Sequence, residues 1–299
     1  MNLDAQQIML AQHIVVLLHG LHGHMHDLEC TATAIRQYYG SDVTILMPPV
    51  NLGLTHTGIG SQSERVYDFL TEQLQYHPNA KYISIIGQSL GGLVARRLSY
   101  LLYQNGIIPN TLQPISFVTV ATPHLGSRHH GRMIFGLPLM NLGCFVARIC
   151  AGMTGQELFL LDGEDPLLIR MTDDDHLEAL RLFHRRLAYA CSRYDMSVAF
   201  PTAAICRYNP YRAAIFKGTD ALLMEVDIND QNQAGLGCDL DESEELMRTR
   251  LDALGWRRCV YTPSRPIVGH LDILVTNPSR TKFGGIVVDD IVRHLIINK

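Results

Sequence analysis

No stretch of this 299-residue chain holds enough uncharged apolar residues to span a bilayer. The nearest approach, Met133 to Ala147, is broken by Pro138 and Asn141 and stops at Arg148. The opening residues Met1-Asn2-Leu3-Asp4 lack the basic region of a secretory signal. Seven cysteines (30, 144, 150, 191, 206, 238 and 259) are odd in number and contain no C-x-x-C pair. Several lie in apolar runs, which favours reduced thiols over a disulfide framework. There is no excess of positive charge: a formal net charge of −4 leaves nucleic acid without an electrostatic footprint. No internal repeat and no linker divides the chain. The expectation is a soluble, cytoplasmic protein forming a single domain over 1–299. Its 47% hydrophobic and 18% charged residues suffice for a large core.

What is present is an alternation of strand and helix. Apolar runs at His13–Leu18, Asp42–Met47, Tyr82–Ile86, Ile115–Val120, Leu187–Cys191 and Arg257–Tyr261 read as strands. Helical patterns fall between them at 27–39, within 58–76, from Leu90 to Leu98, at 175–186, up to Leu254, and at 287–297. Such an order predicts an α/β fold: a mainly parallel sheet of about six to seven strands with helices on both faces. Regularity breaks twice, at about 124–175 and 207–255, and both stretches read as insertions.

The sharpest motif is Gly87-Gln88-Ser89-Leu90-Gly91, at the end of the third strand and the start of a helix. A G-x-S-x-G in that context forms a tight elbow that lifts the serine hydroxyl off the sheet, its glycines avoiding clashes with neighbouring backbone. A serine nucleophile needs a base and an acid to orient it. In α/β-hydrolases these follow in the order Ser, Asp, His at strand ends. Asp195, after the fifth strand, and His270, after the sixth, occupy those places. Asp162, Asp165 and Asp173 to Asp175 read better as helix-start acids, and His294 as a helix-face residue. Two backbone amides must face the developing oxyanion. One belongs to Leu90. The other is assigned to Leu21, within His19-Gly20-Leu21-His22-Gly23 after the first strand. His19, His22, His24 and His26 have metal-like spacing but form no identifiable closed ligand set, so no metal and no cofactor is expected. Residues 230–241 mimic a calcium loop only faintly, because Ala234 supplies no oxygen.

With these residues placed, the chain resembles a eukaryotic family of serine esterases in the α/β-hydrolase superfamily, which includes Rog-type lipases and lysophospholipases. The resemblance runs from about Val15 to Ala204 and resumes near His270. It rests on residues 19–23 and 87–92, on Ala121-Thr122-Pro123-His124-Leu125-Gly126, on residues 154–162, and on Asp195 with Thr202-Ala203. Ala199 stands where the family usually carries proline, and Pro201 where it carries a polar residue. The resemblance implies an α/β-hydrolase fold, here without the opening hairpin because only twelve residues precede the first strand. It also implies ester hydrolysis on acyl-lipids. The apolar, Met-bearing residues 132–148 sit where hydrolase lids sit. They read either as a lid, allowing peripheral contact with a membrane or lipid-droplet surface, or as a core helix. A thioesterase, a small-ester or protein deacylase, and a non-catalytic hydrolase-fold scaffold are the competing functions.

Overall fold

Among the described residues, seven strands form one sheet: β1 (His13–Leu18), β2 (Val43–Leu46), β3 (Tyr82–Gln88), β4 (Gln113–Val120), β5 (Arg185–Cys191), β6 (Leu222–Val226) and β7 (Arg257–Thr262), in the order β2-β1-β3-β4-β5-β7-β6. All neighbours are parallel except β6, which runs antiparallel to β7. This computed structural model describes residues 11–128, 151–211, 222–227, 240–263, 269–276 and 284–296. The apolar stretch 132–148 lies outside the described residues, as does most of 207–239.

Every residue of β1 is buried, because its alternating side chains feed two different cores. Ile14, Val16 and Leu18 meet Ile83 and Ile85 of β3, together with α2 (Ile59–Leu74) and α3 (Leu90–Gln104), through Val66, Leu70, Leu93 and Leu98. Val15 and Leu17 face the other way. There they pack with α1 (Glu29–Tyr39) and α9 (Gly285–Leu295), through Ala32, Ile35, Val288 and Ile291. Helices on both faces of a mostly parallel sheet, entered by a strand–serine–helix elbow, make this the α/β-hydrolase fold. Shorter helices follow: α4 (Leu167–Arg170), α5 (Asp174–Arg181), α6 (Phe200–Ala204), α7 (Glu242–Asp252) and α8 (Gly269–Asp272).

The strand order has one consequence for function. β1 connects outward to β2, and the chain then returns to place β3 on the other side of β1. The loops leaving β1 and β3 therefore part around a crevice at the carboxyl ends of the strands, the place where open α/β sheets hold ligands. Residues 19–23 and Ser89 occupy those two loops.

Two differences from what the sequence pattern predicts have their cause in tertiary contacts. The helix expected over 175–186 ends at Arg181, and β5 begins at Arg185 rather than Leu187. Arg186 is responsible: its guanidinium donates back to the carbonyls of Leu180, Arg181 and Phe183, so a strand residue caps the helix. β6 lies inside the second insertion, where the pattern predicts no regular element. It is a five-residue edge strand whose Glu225 carboxylate accepts from Arg257 of β7 at 2.9 Å.

The sheet also buries neutral histidines. Ser84 Oγ donates its proton to the Leu295 carbonyl, so His13 Nε2 must be the donor in the 2.9 Å bond to Ser84. Burial pushes the His13 imidazole down to about 4. His124, wholly buried beside Thr119, is held well below its ordinary range by burial and by Arg96 and Arg258. A histidine whose folded value is depressed leaves the unfolded chain binding more protons, so stability falls as pH drops from 6.5 toward 4. Each tenfold difference in proton affinity between the folded and unfolded chain is worth about 1.4 kcal/mol. His13 alone should therefore cost about 3 kcal/mol by pH 4. Denaturant unfolding at pH 7 and pH 4 should show the wild type losing that much more than His13→Gln, which keeps a donor for Ser84. Equal losses would remove His13 from the account.

Candidate active site

Ser89 stands between β3 and α3 with φ 53° and ψ −125°, a conformation that L residues rarely adopt. Its amide donates to the Val120 carbonyl at 2.8 Å, and its carbonyl accepts from Gly92 at 3.1 Å, which fixes the elbow at both ends. The flanking glycines are required by close approach. A Cβ on Gly87 would lie 2.5 Å from the Gly91 carbonyl, and one on Gly91 would run into the carbonyls of Leu18 and His19. The helix can thus settle on the end of β1.

The loop after β1 presses on the serine from the other side of the crevice. A Cβ on Gly20 would sit 2.9 Å from Ser89 Cβ. Residues 20–23 form a turn closed by Gly23 N–H to the Gly20 carbonyl at 3.0 Å, with His22 at φ 53°. The buried His19 donates Nδ1–H to the Gly20 carbonyl at 3.0 Å, and the His22 amide donates to Thr55 Oγ1 at 2.9 Å. Among the described residues, the Leu21 amide makes no backbone bond of the turn, and Leu90 opens α3, where the first amides have no acceptor within the helix. His24 caps the following turn, accepting the His26 amide while Asp27 accepts its own.

Asp195 and His270 are joined. His270 Nδ1 donates to Asp195 Oδ2 at 2.9 Å, with 3% of the Asp195 side chain exposed and 17% of the His270 side chain. The other carboxylate oxygen, Oδ1, accepts the amides of Ser197 and Val198, each at 2.8 Å. Three donors thus fix the carboxylate, and the imidazole is left with Nε2 as its basic atom. Ser89, Asp195 and His270 follow β3, β5 and β7 and share one edge of the sheet. Among the described residues, no hydrogen bond joins Ser89 to His270. The competing acids are engaged elsewhere: Asp162 Oδ2 accepts the Leu167 amide, Asp165 lies 3.4 Å from Arg170, and Asp173 pairs with Arg250.

The segment 154–162 has no chemical reading in the sequence alone. Thr154 Oγ1 accepts the Gly58 amide at 2.9 Å, and the Glu157 carboxylate accepts the Ile59 amide at 2.6 Å, so together they cap the start of α2. Burial pushes the Glu157 carboxyl up to about 7. This carboxylate-bearing motif, well ahead of Asp195 in the chain, is therefore a frame for the loop at 51–58. Thr202 does similar work, accepting the Leu125 amide and donating to the Gly126 carbonyl. No signal in a single sequence separates such framing residues from catalytic ones.

Residues 10–207 match the model of the family described as "Putative serine esterase (DUF676)". The chain is 29% identical over 203 residues to a Saccharomyces cerevisiae protein described as "Putative lipase ROG1", covering 65% of this chain and 28% of that one. It is 27% identical over 210 residues to a Schizosaccharomyces pombe protein described as "Putative lipase C4A8.10", covering 64% and 26%. The chain thus spans less than a third of the length of these relatives. Among solved structures, the lin2722 product of Listeria innocua is 12% identical with a TM-score of 0.48, covering 96% of this chain and 95% of that one. The family match includes Ser89 and Asp195 and stops before His270.

Proposed function

The chain belongs to the serine esterase family DUF676, and from that premise we propose that it hydrolyses carboxylic esters of acyl-lipids through Ser89, His270 and Asp195. Ser89 Oγ attacks the acyl carbonyl while His270 Nε2 takes its proton; Asp195 holds the imidazole and stabilises the cation that forms. The Leu21 and Leu90 amides receive the oxyanion. Collapse of the tetrahedral species passes the proton from His270 to the departing alcohol and leaves an acyl-Ser89 ester. Water, deprotonated by the same imidazole, attacks that ester, and the proton passes to Ser89 Oγ as the fatty acid leaves.

The observation that supports this reading best is the 2.9 Å bond from His270 to an Asp195 whose second oxygen two amides already hold. The assignment to acyl-lipids draws on the names of the yeast relatives. Substrates of that class aggregate, so the protein would meet them at a lipid surface. Among the described residues, no helix is long and apolar enough to cross a membrane.

A fluorophosphonate probe, followed by a substrate panel, tests the proposal. The wild type should be labelled, and should cleave long-chain monoacylglycerol and lysophospholipid faster than the matching acyl thioester. Absence of labelling would remove the covalent serine mechanism. Faster turnover of the thioester would leave the mechanism and replace the substrate class.

A further inference from the structure

His270 is carried by α8, a helix of one turn, far too short to hold its own orientation. We propose that Tyr261 and Asp272 are positioning residues for the His270 imidazole, acting through this turn; the inference rests on the hydrolase reading above. Asp272 is 2% exposed and Tyr261 wholly buried, and the Tyr261 hydroxyl donates to Asp272 Oδ2. Asp272 lies two residues beyond His270, so this bond ties down the far end of the turn.

The near end is tied to the loop bearing Asp195. The Gly269 amide donates to the Tyr194 carbonyl at 3.2 Å, and Cys191 Sγ donates to the Gly269 carbonyl at 3.4 Å. A Cβ on Gly269 would lie 2.9 Å from the Tyr194 carbonyl, so the two backbones touch. Behind the turn, any side chain at Gly284 would run into the Asp272 carbonyl, which seats α8 on the start of α9.

Both ties lead back to one strand pair. Cys191 and Tyr261 are register partners in β5 and β7, and the Ser192 amide donates to the Tyr261 carbonyl at 2.8 Å. Asp195 leaves the sheet four residues after Cys191. His270 returns to it through Gly269 and Asp272. The separation of acid and base is therefore set by a single rung of the sheet, and the Tyr261–Asp272 bond transmits that rung to the imidazole.

Steady-state kinetics on a short soluble ester, with thermal unfolding of each variant, separate positioning from mere support. Tyr261→Phe removes one hydroxyl; it should lower kcat about 10- to 100-fold while KM barely moves, because a small misplacement of a reacting group carries a cost of that order. Asp272→Asn still offers an oxygen to the Tyr261 hydroxyl and should stay near wild type. Asp272→Ala should fall with Tyr261→Phe. A Tyr261→Phe protein that melts lower but keeps wild-type kcat would overturn the proposal, as would Asp272→Asn losing as much as Asp272→Ala. If Asp272→Ala does not fold, Tyr261→Phe and Asp272→Asn decide between them. Ser89→Ala is the control: should it remain active, the hydrolase reading itself fails. Should it be inactive beside a fully active Tyr261→Phe, only the positioning role is lost.

Discussion

Ser89→Ala is expected to abolish ester hydrolysis and fluorophosphonate labelling while the protein stays folded. On the proposed mechanism the hydroxyl oxygen is the only atom of the protein that bonds to the acyl carbon, and loss of such a nucleophile costs on the order of 10⁶ in kcat. Little packing goes with it. The backbone bonds of the elbow, from the Ser89 amide to Val120 and from Gly92 to the Ser89 carbonyl, do not involve the side chain. Alanine keeps the Cβ and so keeps the strain of φ 53°. Ser89→Gly should be equally inactive but more stable, because glycine adopts that region freely and residues held there store about 1–3 kcal/mol. A paired measurement of rate and melting temperature checks both claims. Substantial hydrolysis by a cleanly folded Ser89→Ala protein would sink covalent catalysis at this serine.

Much of the frame is legible in the sequence because burial there follows simple periods. β1 can be placed residue for residue, since all six of its side chains are buried and His19-Gly20 ends the run. The elbow is legible because its glycines answer to close contacts between β3, α3 and β1, which only a missing Cβ allows. Where local pattern and tertiary contact disagree, tertiary contact wins. Residues 182–186 continue a helical pattern, but Arg186 caps the helix from inside the next strand, an arrangement no periodicity encodes. β6 is five residues long and owes its existence to pairing with β7. The region of acid and base is legible only as strand ends. Asp272 shows why: it looks like any loop aspartate until β7 brings the Tyr261 hydroxyl to it. Thr154 and Glu157 likewise gain meaning only from the distant amides of Gly58 and Ile59.

Asp195→Asn should slow turnover by about 10⁴-fold, the scale seen when the acid of such a triad is amidated. The local geometry explains why an isosteric change is so costly. Oδ1 accepts the Ser197 and Val198 amides at 2.8 Å, and an amide nitrogen cannot replace it there. Asparagine must therefore keep its oxygen on those two donors and turn its NH₂ group toward His270. Nδ1 of the imidazole, which now donates at 2.9 Å, would have to accept instead. The ring proton moves to Nε2, the atom needed to take the serine's proton, and the base is lost without any displacement of the ring. Folding should suffer little, since both backbone amides keep their acceptor. The expected signature is thus a large fall in kcat with a nearly unchanged melting temperature and KM. A fall of less than about tenfold in kcat would mean that Asp195 does not set the tautomer. A structure of the variant with the amide oxygen, rather than its nitrogen, facing His270 would contradict the argument at its first step.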